Sequence, residues 1–332
     1  MKKWIDSVLS SSKTPALPFI THPGIEINGE KVIKAVSDGY THYEAIKTVS
    51  ETFATSVATV IMDLTTEAEA FGAEISMSEN EVPSIVGRLL NNAEDIEILE
   101  VPDLSKGRVP AYLLANKLAV ENLEGKPVFS GCIGPFSLAG RLYDMSEIMI
   151  SIYTEPDAML MLLGKCTEFL KEYCREFKRI GTAGVVIAEP AAGLLSNDDC
   201  LMYSTHFVKQ IVDELQDDNF TIILHNCGNT GHCTEAMLES GANALHFGNA
   251  IDMKSALLEC PPDKIIMGNL DPVGVFKLSK PEEIKLKTIH LLNEAKDYPN
   301  FVISSGCDIP PYTPIENIRA FYDAVNEFNS QH

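Results

Sequence analysis

Short apolar runs rich in β-branched residues return along the chain, each followed by a longer amphipathic stretch, and this alternation leaves few folds open. Strands are expected at residues 16–20, 58–62, 127–131, 183–188, 220–225, 244–247, 264–268 and 301–305. Helices are expected at 29–36, 43–56, 67–72, 134–142, 154–180, 198–215, 230–239, 252–258, 281–296 and 314–328, with loops and two further helices across 73–125. Thr154 reads as an N-cap ahead of Pro156, and Pro314 and Glu316 mark the first turn of the last helix. Eight parallel strands alternating with helices is the count that closes a (β/α)8 TIM barrel, which takes roughly 250 residues plus insertions. N-terminal helical additions and the long segment between the second and third strands take up the surplus. No linker rich in Pro, Gly or Ser interrupts the run, so residues 1–332 read as a single domain.

A barrel of this kind carries its active site at the C-terminal ends of its strands. Asp63 ends the second expected strand, Cys132 follows the third and Glu189 ends the fourth. His225 and Cys227 follow the fifth, Asn249 the sixth, Asp271 the seventh and Cys307 the eighth. His225 and Cys227 stand two apart in extended chain, so both side chains leave the same face. An isolated His-x-Cys is a weak signal, since a histidine at a strand end and a buried free cysteine are both common packing residues. Cys307, in a second Gly-Cys setting across the mouth, tips the reading to a zinc site of His225, Cys227 and Cys307. One histidine and two thiolates leave a fourth position open, as catalytic zinc requires. Such a soft donor set suits ionising a bound thiol and is a poor Lewis acid for hydrolysis. Glu189 and Asp271 are the candidate catalytic carboxylates, to take the thiol proton, orient a ligand or fill the open position. For Asp271 an Asp-Pro turn is the plainer alternative, and Asp63 is expected to line the pocket. His232 and Cys233 compete as ligands from a helix start, Cys132 reads as a packing thiol, and His246 as a core or pocket residue.

The charge sum of 26 basic against 47 acidic residues, −21, opposes binding to nucleic acid and to anionic membranes. Charged residues interrupt every apolar run short of the roughly 20 residues a bilayer needs. The start MKKWIDSVLSSSK develops no apolar signal core, and eight cysteines without one point to a reducing, cytoplasmic setting.

These residues resemble the uroporphyrinogen decarboxylase superfamily over nearly the whole chain, and within it the zinc-dependent methyltransferases that pass a methyl group from a methylcorrinoid protein to a thiol such as coenzyme M. The specific part is His225-Asn226-Cys227 with Cys307 far beyond. Gly134-Pro135-Phe136, Glu189-Pro190-Ala191, Gly268-Asn269-Leu270-Asp271-Pro272, and Gly306-Cys307 followed by Thr313-Pro314-Ile315-Glu316-Asn317 support it. The resemblance implies a uroporphyrinogen decarboxylase-like barrel, Zn2+ as cofactor and a small thiol substrate. The chain has no Asp-x-His-x-x-Gly cobalamin signature, so methylcobalamin is expected on a separate corrinoid protein. The porphyrin decarboxylases themselves grip a polycarboxylate with an N-terminal Arg-rich segment, but residues 15–23 here hold no arginine and the first is Arg88. Porphyrin decarboxylation is therefore the alternative enzyme reading, beside a cobalamin-independent methionine-synthase-like transfer from methylfolate. The non-enzyme alternative is a structural zinc site in a binding protein, and self-association is left open.

Overall fold

The computed structural model describes residues 4–331. Its main sheet is wholly parallel and has seven strands. These are β1 (Ala58–Thr59), β4 (Val128–Ile133), β5 (Gly184–Ala188), β6 (Thr221–Asn226), β7 (Ala244–Phe247), β8 (Ile265–Leu270) and β9 (Phe301–Ser305), paired in that order. Helices Pro156–Ile180, His206–Leu215, Pro281–Ala295 and Ile315–Gln331 follow β4, β5, β8 and β9 in turn, giving a TIM-barrel-like α/β fold. No helix among the described residues is long and apolar enough to cross a membrane.

The expected first strand, 16–20, survives as one parallel bridge between Ala16 and Ile303. Leu17 N donates to Ile303 O at 2.9 Å and Ile303 N to Pro15 O at 3.0 Å. The next donor facing β9 is Phe19 N, which turns to Ser305 Oγ at 3.0 Å instead of a backbone carbonyl, and the ladder ends there. The second strand is also shorter than expected. Val60 N makes the last bond to β4, to Phe129 O at 3.1 Å, and Ile61 N, on the opposite edge, donates to His42 Nε2 at 3.1 Å. Between them, Ser56 Oγ donates to Ala16 O at 3.2 Å and joins the two weak edges.

Two more differences are local. The 73–125 segment holds its two helices, Ala93–Ile98 and Val109–Asn122, and also an antiparallel pair, β2 (Ile75–Ser76) with β3 (Ser84–Ile85). Thr154 is not an N-cap: it ends the helix Met145–Thr154, and Glu155 precedes the next helix with no side-chain cap. Pro156 at the first helical position breaks one continuous apolar pattern into two abutting helices.

Strand alternation sorts the core into two layers. Leu17, Phe19, Phe129, Val186, Ile223, Ala244, Ile265, Met267 and Val302 pack together inside the barrel. Val185, Ile187, Ile222, Leu224, Leu245, Phe247 and Ile303 belong to the layer shared with the helices. This parity decides which polar residues reach the mouth.

Candidate metal centre

His225 continues the inward parity of Ile223 and Cys227 follows it past the strand end, while Gly306 turns the chain after β9 to present Cys307. The ligand atoms of His225, Cys227 and Cys307 all lie within 4.8 Å of one another, the only such group of His, Cys, Asp or Glu among the described residues. His225 is buried and both cysteines are half-buried.

β7 and β8 stand between β6 and β9, so two distant loops have to close on each other. Glycines permit that closure. A Cβ on Gly248 would lie 2.6 Å from Cys227 O, one on Gly306 2.6 Å from Asn249 N, and one on Gly193 2.3 Å from the Gly228 carbonyl carbon. The requirement is space for backbone against backbone, since none of the three has positive φ.

Inside the barrel a hydrogen-bonded line leads away from His225. His225 Nδ1 is 2.8 Å from His246 Nδ1 and 3.3 Å from His246 O. His246 Nε2 is 2.8 Å from Ser304 Oγ, which donates to Leu17 O at 2.7 Å. Phe19 stacks on His246 at 4.3 Å between centroids and meets His225 edge-on. His225 Nε2, by contrast, is buried with no hydrogen-bond partner. A buried ring nitrogen left bare on a histidine that meets two cysteines is the observation that fits a soft metal ion. Cys307 donates its thiol hydrogen bond to Cys227, which lowers Cys227 to about 7 and pushes Cys307 up.

The other residues to which the sequence points sit elsewhere. Glu189 shares the outward parity of Val185 and Ile187 and lies buried at the helix layer. Its oxygens accept from Ser137 N at 3.0 Å and Ser204 Oγ at 2.7 Å, and burial raises it to about 7. Asp271 accepts from Val273 N and Gly274 N at 2.9 and 2.8 Å, capping the turn that begins at Pro272. Asp63 does not present a free carboxylate: it accepts from Thr65 N and Thr66 N and is paired with Arg108. Cys132 packs outward, 3.8 Å from Cys174 Sγ. Cys233 is buried against Leu195 O, and His232 Nε2 meets the same carbonyl at 3.1 Å, so both turn away from the cluster.

Sequence reasoning misses Ser304 and the pair His22–Asp308. Thr21 Oγ1 donates to Asp308 Oδ2 at 2.6 Å, with His22 Nε2 3.6 Å from the same oxygen. Asp308 directly follows Cys307, and His22 follows the first inward segment; those positions are the signal that could have found them.

A family model described as Uroporphyrinogen decarboxylase (URO-D) matches residues 14–328. The methylcobamide:CoM methyltransferase MtbA of Methanosarcina mazei is 28% identical over 313 residues, covering 92% of this chain and 87% of that protein. A uroporphyrinogen decarboxylase of Solibacter usitatus is 23% identical, covering 82% and 79%. Among solved structures, a methyltransferase from Methanosarcina mazei superposes with a TM-score of 0.88 at 24% identity over 97% of each chain. A B12-independent methionine synthase from Shewanella sp. W3-18-1 gives 0.57 at 15% identity, covering 88% and 87%. Both likenesses are of fold. Matched by the family model from residue 14 to residue 328, the chain belongs to the uroporphyrinogen decarboxylase family.

Proposed function

We propose that the chain is a zinc-dependent methyltransferase that moves a methyl group between a methylcorrinoid, carried on a separate protein, and a small thiol of the coenzyme M type. The observation that carries this reading is the meeting of the ligand atoms of His225, Cys227 and Cys307 at the barrel mouth, with His225 Nε2 buried and unpartnered. The relatives named methylcobamide:CoM methyltransferase, alike over 92% of the chain, support the reaction class. A zinc ion held by these three residues would ionise a thiol at its open position and, already neutralised by two thiolates, keep that sulfur electron-rich.

The chain's own residues supply the setting. Cys227 and Cys307 stand half-buried at the β6 and β9 tips, and the packed interior beneath them excludes water. Fixing the two reactants in line is worth up to about 7–11 kcal/mol in well-oriented systems. Asp271 and Glu189 support a positioning role: one caps the turn after β8, the other ties the start of the helix Pro135–Tyr143 to the tip of β5. The eight cysteines are all free, in keeping with action in a reducing cytoplasm, and the family match from 14 to 328 supports one barrel domain.

The decarboxylase reading has named relatives but lacks its grip. Arg108, the second arginine of the chain, is spent on Asp63 and Glu69. The test is zinc content of the purified chain, followed by loss of the methylcobalamin spectrum when coenzyme M is added. Protein without zinc, or with zinc but no methyl transfer, overturns the proposal. Methyl transfer from methylfolate to homocysteine instead would favour the methionine-synthase-like alternative.

A further inference from the structure

The line of contacts beneath the metal centre has a direction that its end groups dictate. Leu17 O can only accept, so the Ser304 hydroxyl proton is committed to it at 2.7 Å. Ser304 Oγ therefore offers a lone pair to His246 Nε2 at 2.8 Å, and that nitrogen carries the proton. His246 is wholly buried inside the barrel, and no carboxylate among the described residues is hydrogen-bonded to it, so a second proton there has no counter-charge. Its Nδ1 is then bare and accepts from His225 Nδ1 at 2.8 Å. A second acceptor gives the same answer independently: His246 O lies 3.3 Å from His225 Nδ1, and a carbonyl oxygen can only accept. Asn226, next in the chain, takes no part in this line, because its Oδ1 accepts from Gly228 N and Asn229 N. Both acceptors of His225 Nδ1 thus belong to His246.

We infer that His246 and Ser304 are positioning residues that lock His225 in its Nδ1–H tautomer, so that the bare Nε2 is the nitrogen presented to Cys227 and Cys307. Neither is itself one of the three donors: His246 meets the cluster through His225, and Ser304 meets His246. Phe19, stacked on His246 at 4.3 Å and edge-on to His225, holds both rings in the orientation this exchange needs. A free imidazole divides its proton between two nitrogens, and every molecule with the proton on Nε2 is closed to a metal until it rearranges. The relay removes that fraction by tying the choice to a backbone carbonyl three groups away. The inference rests on the metal-site reading for its purpose, but the tautomer itself can be measured without any metal.

The experiment uses the full chain, labelled with 15N-histidine and stripped of metal, in long-range proton–nitrogen correlation spectra. His225→Gln and His246→Gln variants assign the two rings by loss of signal. The expected result is His225 protonated on Nδ1 and His246 on Nε2. In His246→Phe only the His246 carbonyl at 3.3 Å is left to accept from His225 Nδ1, so the Nε2–H tautomer should become detectable and zinc affinity, measured by competition with a chromophoric chelator, should fall about 10–100-fold. His246→Asn, whose side-chain oxygen can accept from His225, should restore much of both. Ser304→Ala removes a single hydroxyl and gives a second reading should His246→Phe fail to fold: His225 should again sample both forms. A metal-free wild type with His225 protonated on Nε2 overturns the inference, as does a folded His246→Phe with unchanged tautomer and zinc affinity. If the expected tautomers appear but the wild type binds no zinc, the relay stands and the proposed function falls.

Discussion

Cys307 is the one donor that does not come from the β6 tip, so it tests whether the cluster acts as a unit. Cys307→Ala is expected to leave the barrel folded, because the residue is half-buried at a loop, and to reduce bound zinc to a small fraction of the wild-type content. Methyl transfer to a thiol should be lost with it; elemental analysis and the methylcobalamin spectrum check the two separately. At this scale the sequence is informative where spacing alone decides geometry. His225 and Cys227, two apart on a strand end, share a face in any fold that keeps the strand. Glu189 is less legible. Residues 184–188 are apolar and buried throughout, as in any parallel strand covered on both faces, so no polar alternation reveals which way the next side chain points.

Among the elements, the loops at the barrel mouth depend on glycines that the strand pattern does not reveal. Gly248→Ala would set a methyl group 2.6–2.7 Å from Cys227 O and Cα, backbone atoms that can yield only by moving the loop. The expected cost is about 1–3 kcal/mol of stability, with a fall of at least about tenfold in zinc affinity because Cys227 moves with its backbone. Chelator competition on the folded variant measures it, and unchanged affinity would contradict the packing argument. The other structural node lies at the tip of β1. Arg108 donates to Asp63, to Glu69 at 2.6 Å and to Thr65 Oγ1 at 2.8 Å, joining the helix Thr66–Ala70 to the helix Val109–Asn122. Arg108→Met leaves the buried Asp63 without its counter-charge and should cost about 3–5 kcal/mol in urea unfolding. Asp63 at a strand end reads as a pocket residue because sequence position does not show a partner 45 residues away. The reduced first strand has one cause visible in the sequence, Pro15, which brings no N–H to the edge facing β9, while its other end depends on where Phe19 N finds an acceptor.

For the molecule as a whole, stability should carry the mark of two buried carboxyls. Burial raises Glu67 and Glu189 to about 7 from an ordinary value of 4.5. Above pH 4.5 the unfolded chain releases these protons while the fold retains them, so the stability they contribute is full below about 4.5 and declines as pH rises to about 7. Each group is worth up to roughly 3 kcal/mol over that window, at about 1.36 kcal/mol per unit. Two histidines work in the opposite sense: burial pulls His42 down to about 3 and His246 well below its usual value, so acid favours the unfolded chain at both. The wild-type curve alone is therefore flatter than either pair would make it. Comparison with the double variant Glu67→Gln/Glu189→Gln removes the ambiguity, since both proteins share the histidines and nearly the same surface charge. Urea midpoints at pH 5, 6 and 8 should show the variant gaining on the wild type as pH rises, with most of the gain complete by pH 8. A constant difference across the series would mean that the two carboxyls titrate alike in the folded and unfolded chains, and that the helix layer around them is wetter than its packing indicates.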